Sequence, residues 1–166
     1  MTEEIRANLA VLVPRLRRFA LALCGNRDEG DDLVQTACLK ALDRAGQFQP
    51  GTRLDSWMFR IVQTTFIDER RKRSRRGHTA PPEALDTLSD DGRDARSRDD
   101  RLLLGRIREA IAELPEEQRL VIGLVAIEGY TYKETAEILD IPVGTVMSRL
   151  ARARARLLPL TEDQAT

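Results

Sequence analysis

The sequence has 166 residues, of which 33% are charged and only 4% are aromatic. A chain of this length folds as one domain or as two small ones, and its alanine, leucine and arginine content favours helices over sheets. It contains no run of about 18 apolar residues, which excludes a transmembrane helix, and its N-terminus lacks the apolar core of a signal peptide. We therefore expect a cytoplasmic protein.

Two cysteines and one histidine limit the chemistry that the chain can perform. Cys24 and Cys38 do not form a CxxC pair, and we interpret both as reduced, largely buried thiols. His78 stands alone in a polar segment, so no set of zinc ligands is recognisable. The sequence also shows no nucleophile–base pair and no phosphate-binding loop. It predicts no metal, no cofactor and no catalytic residues, and it argues against an enzyme.

The net charge is zero, but the charges are unevenly distributed. Residues 1–76 contain 15 basic and 10 acidic side chains, residues 77–100 contain 3 and 7, and residues 101–166 contain 9 and 10. The acidic stretch also contains proline and glycine and has little apolar periodicity, which indicates a flexible linker. The sequence therefore predicts two small helical domains, residues 1–76 and 101–160, joined by a linker of residues 77–100.

The N-terminal domain is predicted to be a bundle of three to four helices. The first runs from about Thr2 to Cys24, because its apolar residues recur at steps of three and four. The second runs from about Asp28, the predicted N-cap, to Ala45. The third begins near Asp55 and continues to about Arg73.

The third helix ends in a basic run, with six cations in the seven positions from Arg70 to Arg76. Cations at a helix C-terminus also suit the helix dipole, so a purely structural role is an alternative. Four aromatic residues lie upstream, namely Phe48, Trp57, Phe59 and Phe66, and aromatic rings beside a cationic track can stack on unpaired bases. Core packing is the alternative for each ring, above all for Trp57 and Phe66. Phe48, in a polar loop, is the best candidate for contact with an extruded base.

Four helices are predicted in the C-terminal domain, and the last two form a helix-turn-helix. The first two cover about residues 100–113 and the stretch from Pro115 to Gly129. Thr131 and Glu134 have the spacing of a capping box, which starts a helix that ends at Leu139. Asp140 lies at the turn, and the final helix begins near Val143 because Pro142 cannot continue the preceding helix.

The final helix separates into two faces. The apolar residues predicted to pack on the other helices are Val143, Val146, Leu150, Ala153 and Leu157. A different face, without acidic residues, carries Thr145, Ser148, Arg149, Arg152 and Arg156. Hydroxyls and arginines in front of an apolar back are typical of a DNA recognition helix, since arginine binds guanine and phosphates. A solvated basic face is the alternative for the arginines alone, but the capping box and the tight turn favour DNA binding.

Four strings occur in an order that makes the sequence resemble the extracytoplasmic function (ECF) sigma factors. They are Asp31-Asp32-Leu33-Val34-Gln35, then Ser56-Trp57-Met58-Phe59-Arg60-Ile61 followed by Asp68 and Arg70-Arg71, then Leu114-Pro115-Glu116-Glu117-Gln118-Arg119, and finally Ile141 to Leu150 with Arg152-Ala153-Arg154. The last string is highly specific, and the resemblance spans about Leu9 to Leu158 except for the linker. It implies an all-α protein in which residues 1–76 form sigma region two and residues 101–160 form sigma region four.

The resemblance also implies a role for particular residues. A polymerase-binding surface on the second helix would contain Asp32, Leu33, Gln35, Thr36 and Leu39. The −10 promoter element would be held by Phe48, Trp57, Arg60, Gln63, Arg70 and Arg71. The −35 element would be read by Thr145, Ser148, Arg149, Arg152 and Arg156. The expected partners are core RNA polymerase, promoter DNA and an anti-sigma factor, without membrane insertion.

The free chain is expected to be a monomer whose linker leaves the two domains uncorrelated until core polymerase sets their separation. Three positions depart from the pattern of the family. Met147 stands where many relatives carry a basic residue, which affects −35 preference. Gln63 stands where relatives often carry an asparagine, which affects −10 preference. Met58 stands where housekeeping sigma factors carry a second aromatic residue, so the set of aromatic rings that opens the promoter duplex is smaller.

Two non-enzymatic alternatives remain at this point. A stand-alone helix-turn-helix regulator would bind a palindrome as a dimer, but it leaves the helix with Trp57 and Arg70 unexplained. A sigma-like decoy would only titrate an anti-sigma factor, and it would not need its basic faces.

Overall fold

The computed structural model describes residues 2–77 and 98–162, and within these two ranges the chain is helical and contains no strand. Its helices are α1 (Thr2–Cys24), α2 (Arg27–Asp43), α3 (Leu54–Arg75), α4 (Arg98–Glu113), α5 (Glu116–Ile122), α6 (Tyr132–Leu139) and α7 (Val143–Glu162). A short 3-10 helix, Ala45–Gln47, follows α2, and a π-helical stretch, Gly123–Ile127, follows α5. The all-α prediction is confirmed. Most of the predicted linker, residues 78–97, lies outside the described residues.

Helices α1 to α3 form the N-terminal segment (residues 2–77). The apolar face predicted for α1 is its buried face, and Leu16, Phe19 and Leu23 have no exposed surface. Gly30 of α2 lies against the backbone of α1, where an added Cβ would stand 3.3 Å from the Leu21 nitrogen. This glycine therefore lets the two helices approach closely.

The N-cap of α2 is Asn26, and the prediction of Asp28 for this position was wrong. The Asn26 side-chain oxygen accepts a hydrogen bond from the Glu29 backbone N–H at 2.9 Å. Asp28 lies instead in the first turn of the helix, where its charge suits the positive end of the helix dipole.

Helices α4 to α7 form the C-terminal segment (residues 98–162). Its core includes Val121, Leu124, Val146 and Ala153, none of which is exposed. Val143, which was predicted to belong to this core, is 40% exposed, so that prediction was wrong. It is the first residue of α7, so no preceding turn of this helix lies beside its side chain.

The two segments pack directly against each other. Phe19 of α1 lies so close to Gly123 that a Cβ there would stand 2.7 Å from the ring. The rings of Phe59 and Tyr130 meet edge to face, with 5.4 Å between their centroids. The expectation of two uncorrelated domains is therefore wrong for this structure, because apolar side chains of both segments share one core.

Candidate nucleic-acid interface

The helix-turn-helix of α6 and α7 has the predicted local geometry. The Thr131 hydroxyl accepts from the Glu134 backbone N–H at 3.1 Å, and the Glu134 carboxylate accepts from the Thr131 backbone N–H at 3.3 Å. Asp140 adopts a left-handed conformation (φ 55°, ψ 51°) and donates its N–H to the Ala136 carbonyl. Ala136 is 7% exposed. The capping box and the sharp turn therefore set the start of α6 and its angle to α7.

Helix α7 buries one side and exposes the arginines of the other. Val146 and Leu150 have 2% exposure or less. Ser148, Arg152 and Arg156 are exposed, whereas Thr145 and Arg149 are half-buried. The Arg149 side chain lies 3.8 Å from the Glu117 carboxylate of α5. The proposed −35 residues thus lie on the outer part of one helix, away from the core.

The residues predicted to hold the −10 element are arranged along α3 and the loop before it. The rings of Phe48 and Trp57 are both half-buried and lie 5.2 Å apart between centroids. Arg60 and Arg71 are exposed. Gln63 is only 6% exposed where the two segments are packed, and its contact with the −10 element stays a prediction. Met58 has no exposed surface, which places this position in the core and not among side chains that could open the promoter duplex.

Of the five α2 residues predicted to bind polymerase, four lie at the surface at least in part and one is buried. Asp32, Gln35 and Leu39 are exposed, and Leu39 exposes 65% of its surface. Thr36 is half-buried and donates its hydroxyl to the Asp32 carbonyl. Leu33 is completely buried, so its prediction as a surface residue was wrong, because α2 turns this side toward α1 and α3.

A network of charged groups between the two segments was not predicted. The Glu128 side chain is fully buried and accepts from Arg15 at 3.1 Å and from Arg18 at 3.0 and 3.1 Å. The Tyr130 hydroxyl donates to Asp55 at 2.9 Å. No local pattern could have revealed these contacts, because the partners are separated by 75 to 113 positions.

The −10 candidates on α3 take part in this contact between segments. One Arg60 nitrogen donates to the Glu137 backbone carbonyl of α6 at 3.1 Å. Arg70 lies 3.5 Å from the Glu116 carboxylate of α5 and also covers the Phe66 ring. The C-terminal segment thus occupies polar groups of α3 that were predicted to bind DNA.

Asp55 is the titratable group at the centre of the network. Burial alone raises the pKa of its carboxyl, but hydrogen bonds from Arg53, Tyr130 and the Ser56 amide outweigh burial and lower the pKa below its ordinary 3.8. Burial, followed by the hydrogen bond to Asp55, raises the pKa of the Tyr130 hydroxyl. At neutral pH the tyrosine is therefore a donor and the aspartate a charged acceptor.

Arg119 is a second buried charge between the segments. It is 6% exposed, donates to the Leu23 carbonyl of α1 and lies over the Phe66 ring. Its Nε has no hydrogen-bond partner among the described residues. Burial and then the neighbouring positive charge of Arg70 lower its pKa. Among the described residues, Glu116 is the acidic neighbour that partly offsets this lowering, and Arg119 forms no ion pair with it.

Two features, a membrane-spanning helix and a cluster of metal ligands, are absent from the described part of the chain. Residues 2–77 and 98–162 contain no helix long and apolar enough to span a membrane. The same ranges hold no cluster of histidine, cysteine and acidic side chains that could bind a metal ion.

Comparison with known proteins agrees with this geometry. The family model for sigma-70 region 2 matches residues 10–76, and the model for sigma-70 region 4 matches residues 104–157. The ECF RNA polymerase sigma factor EcfG of Rhodopseudomonas palustris is 38% identical over 161 residues, which cover 96% of this chain and 86% of that protein. The chain belongs to the ECF family of RNA polymerase sigma factors. Sigma factors direct transcription initiation by binding and not by catalysis.

Two solved structures resemble this ECF sigma factor along its whole length. The sigma factor RpoE of Bartonella quintana, solved with the anti-sigma factor NepR, has a TM-score of 0.80 and 30% identity, and the match covers 96% of this chain and 98% of that one. CnrH, solved with the cytosolic domain of CnrY, has a TM-score of 0.69 and 25% identity, with 98% and 90% covered.

Proposed function

We propose that this ECF sigma factor binds core RNA polymerase and directs initiation at promoters that carry a −10 and a −35 element. The observation that carries the proposal is the structure of α7, which buries Val146 and Leu150 and exposes Ser148, Arg152 and Arg156. Such a helix can enter the major groove with its short hydroxyls near the bases and its arginines on guanine or phosphate. We assign −35 contact to these exposed residues together with Thr145 and Arg149.

We assign the −10 element to α3 and the loop before it. The half-buried pair Phe48 and Trp57 offers ring surface for an unpaired base. Arg60, Arg70 and Arg71 follow along α3 and can hold the phosphate backbone. Gln63 stays in this assignment as a candidate for the separated arrangement, although it is buried where the segments are packed.

We assign core polymerase binding to the outer side of α2. Asp32, Gln35 and Leu39 are exposed there, with Thr36 beside them. Leu39, with 65% of its surface exposed, offers a partner an apolar side chain among these polar neighbours. We place the protein in the cytoplasm, where core polymerase and promoter DNA are found.

Promoter binding in this proposal requires the two segments to separate. The −10 and −35 elements lie about two DNA turns apart, roughly 70 Å, whereas Arg60 of α3 forms a 3.1 Å hydrogen bond to α6 of the helix-turn-helix. The surfaces for the two elements cannot be in contact with each other and also span that distance. The 21 residues from 77 to 97, between the C-cap of α3 and the start of α4, reach at most about 70–75 Å, which is enough for the separated arrangement.

Arg119 makes the separation less costly than the size of the contact suggests. A buried donor without a partner costs about 1–3 kcal/mol, and more for a charged group. Because the Arg119 Nε lacks a partner among the described residues, hydration after separation relieves this cost. The contact therefore combines an apolar centre with a charge that favours opening.

We further propose that an anti-sigma factor controls the chain by holding the segments together. RpoE of Bartonella quintana, which is similar to this chain over its whole length, was solved in complex with the anti-sigma factor NepR. An anti-sigma factor that binds both segments at once would stabilise the packed arrangement by mass action.

A reconstituted transcription assay tests the function. The purified full-length chain is added to core RNA polymerase and a library of genomic promoter fragments, and transcript starts are mapped. We expect starts at a shared pair of sequence elements, and Arg152→Ala should reduce these transcripts while Arg108→Ala, an exposed arginine of α4, should not. The absence of any promoter-dependent transcript would refute the proposal.

The stand-alone regulator remains the second candidate, and a gel shift separates the two. The sigma factor is expected to bind promoter DNA tightly only in the presence of core polymerase. Tight binding of a palindrome by the chain alone, with two copies per site, would favour the regulator.

A further inference from the structure

Two large apolar side chains are exposed near the start of the helix that we assign to the −35 element. Met147 is 52% exposed and Val143 is 40% exposed. They lie four residues apart on α7 and therefore share one side of the helix. Val146 and Leu150, which do pack in the core, lie on another side and are almost fully buried. Core packing thus does not explain the apolar character of Met147.

The neighbours of Met147 on the outer side of α7 are small. Gly144 and Ala151 are both exposed, and at 100° per residue they lie within about 60° of Met147 around the helix. Short side chains allow the helix backbone to approach base edges closely. Met147 is then the longest apolar side chain that can reach into the groove at this point.

The surroundings of Met147 indicate what it contacts. Arg154 is exposed and lies seven residues after Met147, on the same side of α7, where it suits a negatively charged partner. Within the DNA major groove, the one apolar group that a base pair presents is the C5-methyl group of thymine. Methionine is flexible and polarisable and adapts to such a small target.

We infer that Met147 is a specificity-determining residue that contacts the methyl group of a thymine in the −35 element, with Val143 supporting it. The inference rests on the proposed function and adds a base preference to it. The −35 element should contain a thymine, on one strand or the other, whose methyl group contributes to promoter binding.

Replacement of single thymines by uracil tests the contact, since uracil differs from thymine only by the missing methyl group. Promoter fragments with one uracil at each thymine position of the −35 element, on either strand, are bound to holoenzyme reconstituted with the full-length chain. We expect one or two positions to weaken binding of the wild type about fourfold, the effect of one buried methyl or methylene group. Met147→Ala should lower the affinity for the thymine promoter to a similar extent and abolish the uracil effect, whereas Met147→Leu should retain most of it.

The matched control is Val11→Ala, which removes a 76% exposed apolar side chain from α1 and should leave the uracil effect unchanged. The inference is overturned if no thymine of the element responds to uracil, or if Met147→Ala responds as the wild type does. It is also overturned if Met147→Ala weakens binding to core polymerase while the methyl dependence stays intact, because the patch would then contact protein. In each of these cases Arg152→Ala still reduces promoter-dependent transcription if the proposed function is correct.

Discussion

Glu128 is the residue whose substitution should most clearly separate the two segments. Its fully buried carboxylate accepts hydrogen bonds from Arg15 and Arg18, both on α1. Glu128→Gln keeps the shape of the side chain but removes its charge and replaces one acceptor oxygen with a donor. The change acts on the packed arrangement only, because the partners lie in different segments.

The magnitude follows from the exposure of the two arginines. The Arg15 side chain is 34% exposed and its bond to the carboxylate is charge-assisted, so the loss is about 1.5–3 kcal/mol. Arg18 is 55% exposed, and its ion pair is worth about 0.2–1 kcal/mol. The loss of both contacts destabilises the packed arrangement by about 2–4 kcal/mol. The equilibrium between the packed and the separated state should therefore shift toward separation about 30-fold or more.

Two measurements detect this shift. A compact chain of this length has a radius of gyration of about 15 Å, and small-angle scattering should show a larger value for Glu128→Gln. The affinity for core polymerase should rise, because the apparent dissociation constant falls as the binding-competent fraction grows. The affinity for core polymerase stops rising once most molecules are in the separated state.

The control is Glu29→Gln, which removes a 3.3 Å ion pair with Arg73 inside the N-terminal segment. It should change neither the radius of gyration nor the affinity for core polymerase. An unchanged radius and an unchanged affinity for Glu128→Gln, with helix content retained, would refute the reasoning that charged contacts hold the segments together.

Four further predictions concern single positions. Arg152→Ala should reduce −35-dependent transcription about tenfold or more with no loss of helix content by circular dichroism, and activity equal to the wild type at physiological salt would contradict its DNA-facing assignment. Thr131→Ala removes the capping box and should lower the free energy of unfolding by about 1 kcal/mol in urea titration, whereas an unchanged midpoint would show that the cap contributes nothing. The pKa of Asp55 lies below its ordinary 3.8, so the charged carboxylate stabilises the packing at every pH above 3.8 and stops doing so only as the pH falls through its lowered pKa. The radius of gyration should therefore be constant from pH 5 to 8. An expansion within that range would show that another group titrates. Partial burial, with a smaller contribution from nearby acids, raises the pKa of the half-buried Cys24 to about 12. Its alkylation at pH 8 should therefore be far slower than that of a free thiol, and rapid labelling of the folded chain would refute the raised pKa.

The sequence determined the local features of this protein. The heptad-like spacing of α1, the capping box of Thr131 and Glu134, and the two faces of α7 all depend on residues a few positions apart. Their hydrogen bonds and buried faces follow from helical geometry alone, so pattern and spacing predict them. The family resemblance rests on the same local strings, which is why the fold class and the family could be predicted without the structure.

Burial at single positions depended on the tertiary structure. Leu33 and Val143 were each placed on the wrong side of the boundary between core and surface. A helix turns by about 100° per residue, so the direction from which neighbouring helices pack decides whether such a position is covered. That direction is set by contacts distant in sequence.

The packing of the two segments against each other could be read only from the folded molecule. Glu128 and Arg15 lie 113 positions apart, and neither belongs to a pattern that identifies the other as its partner. The sequence contains an acidic, proline-bearing stretch between two helical segments, which is compatible with segments that are apart or together. Which of these arrangements forms depends on the complementarity of two folded surfaces, and such surfaces exist only after each segment has folded.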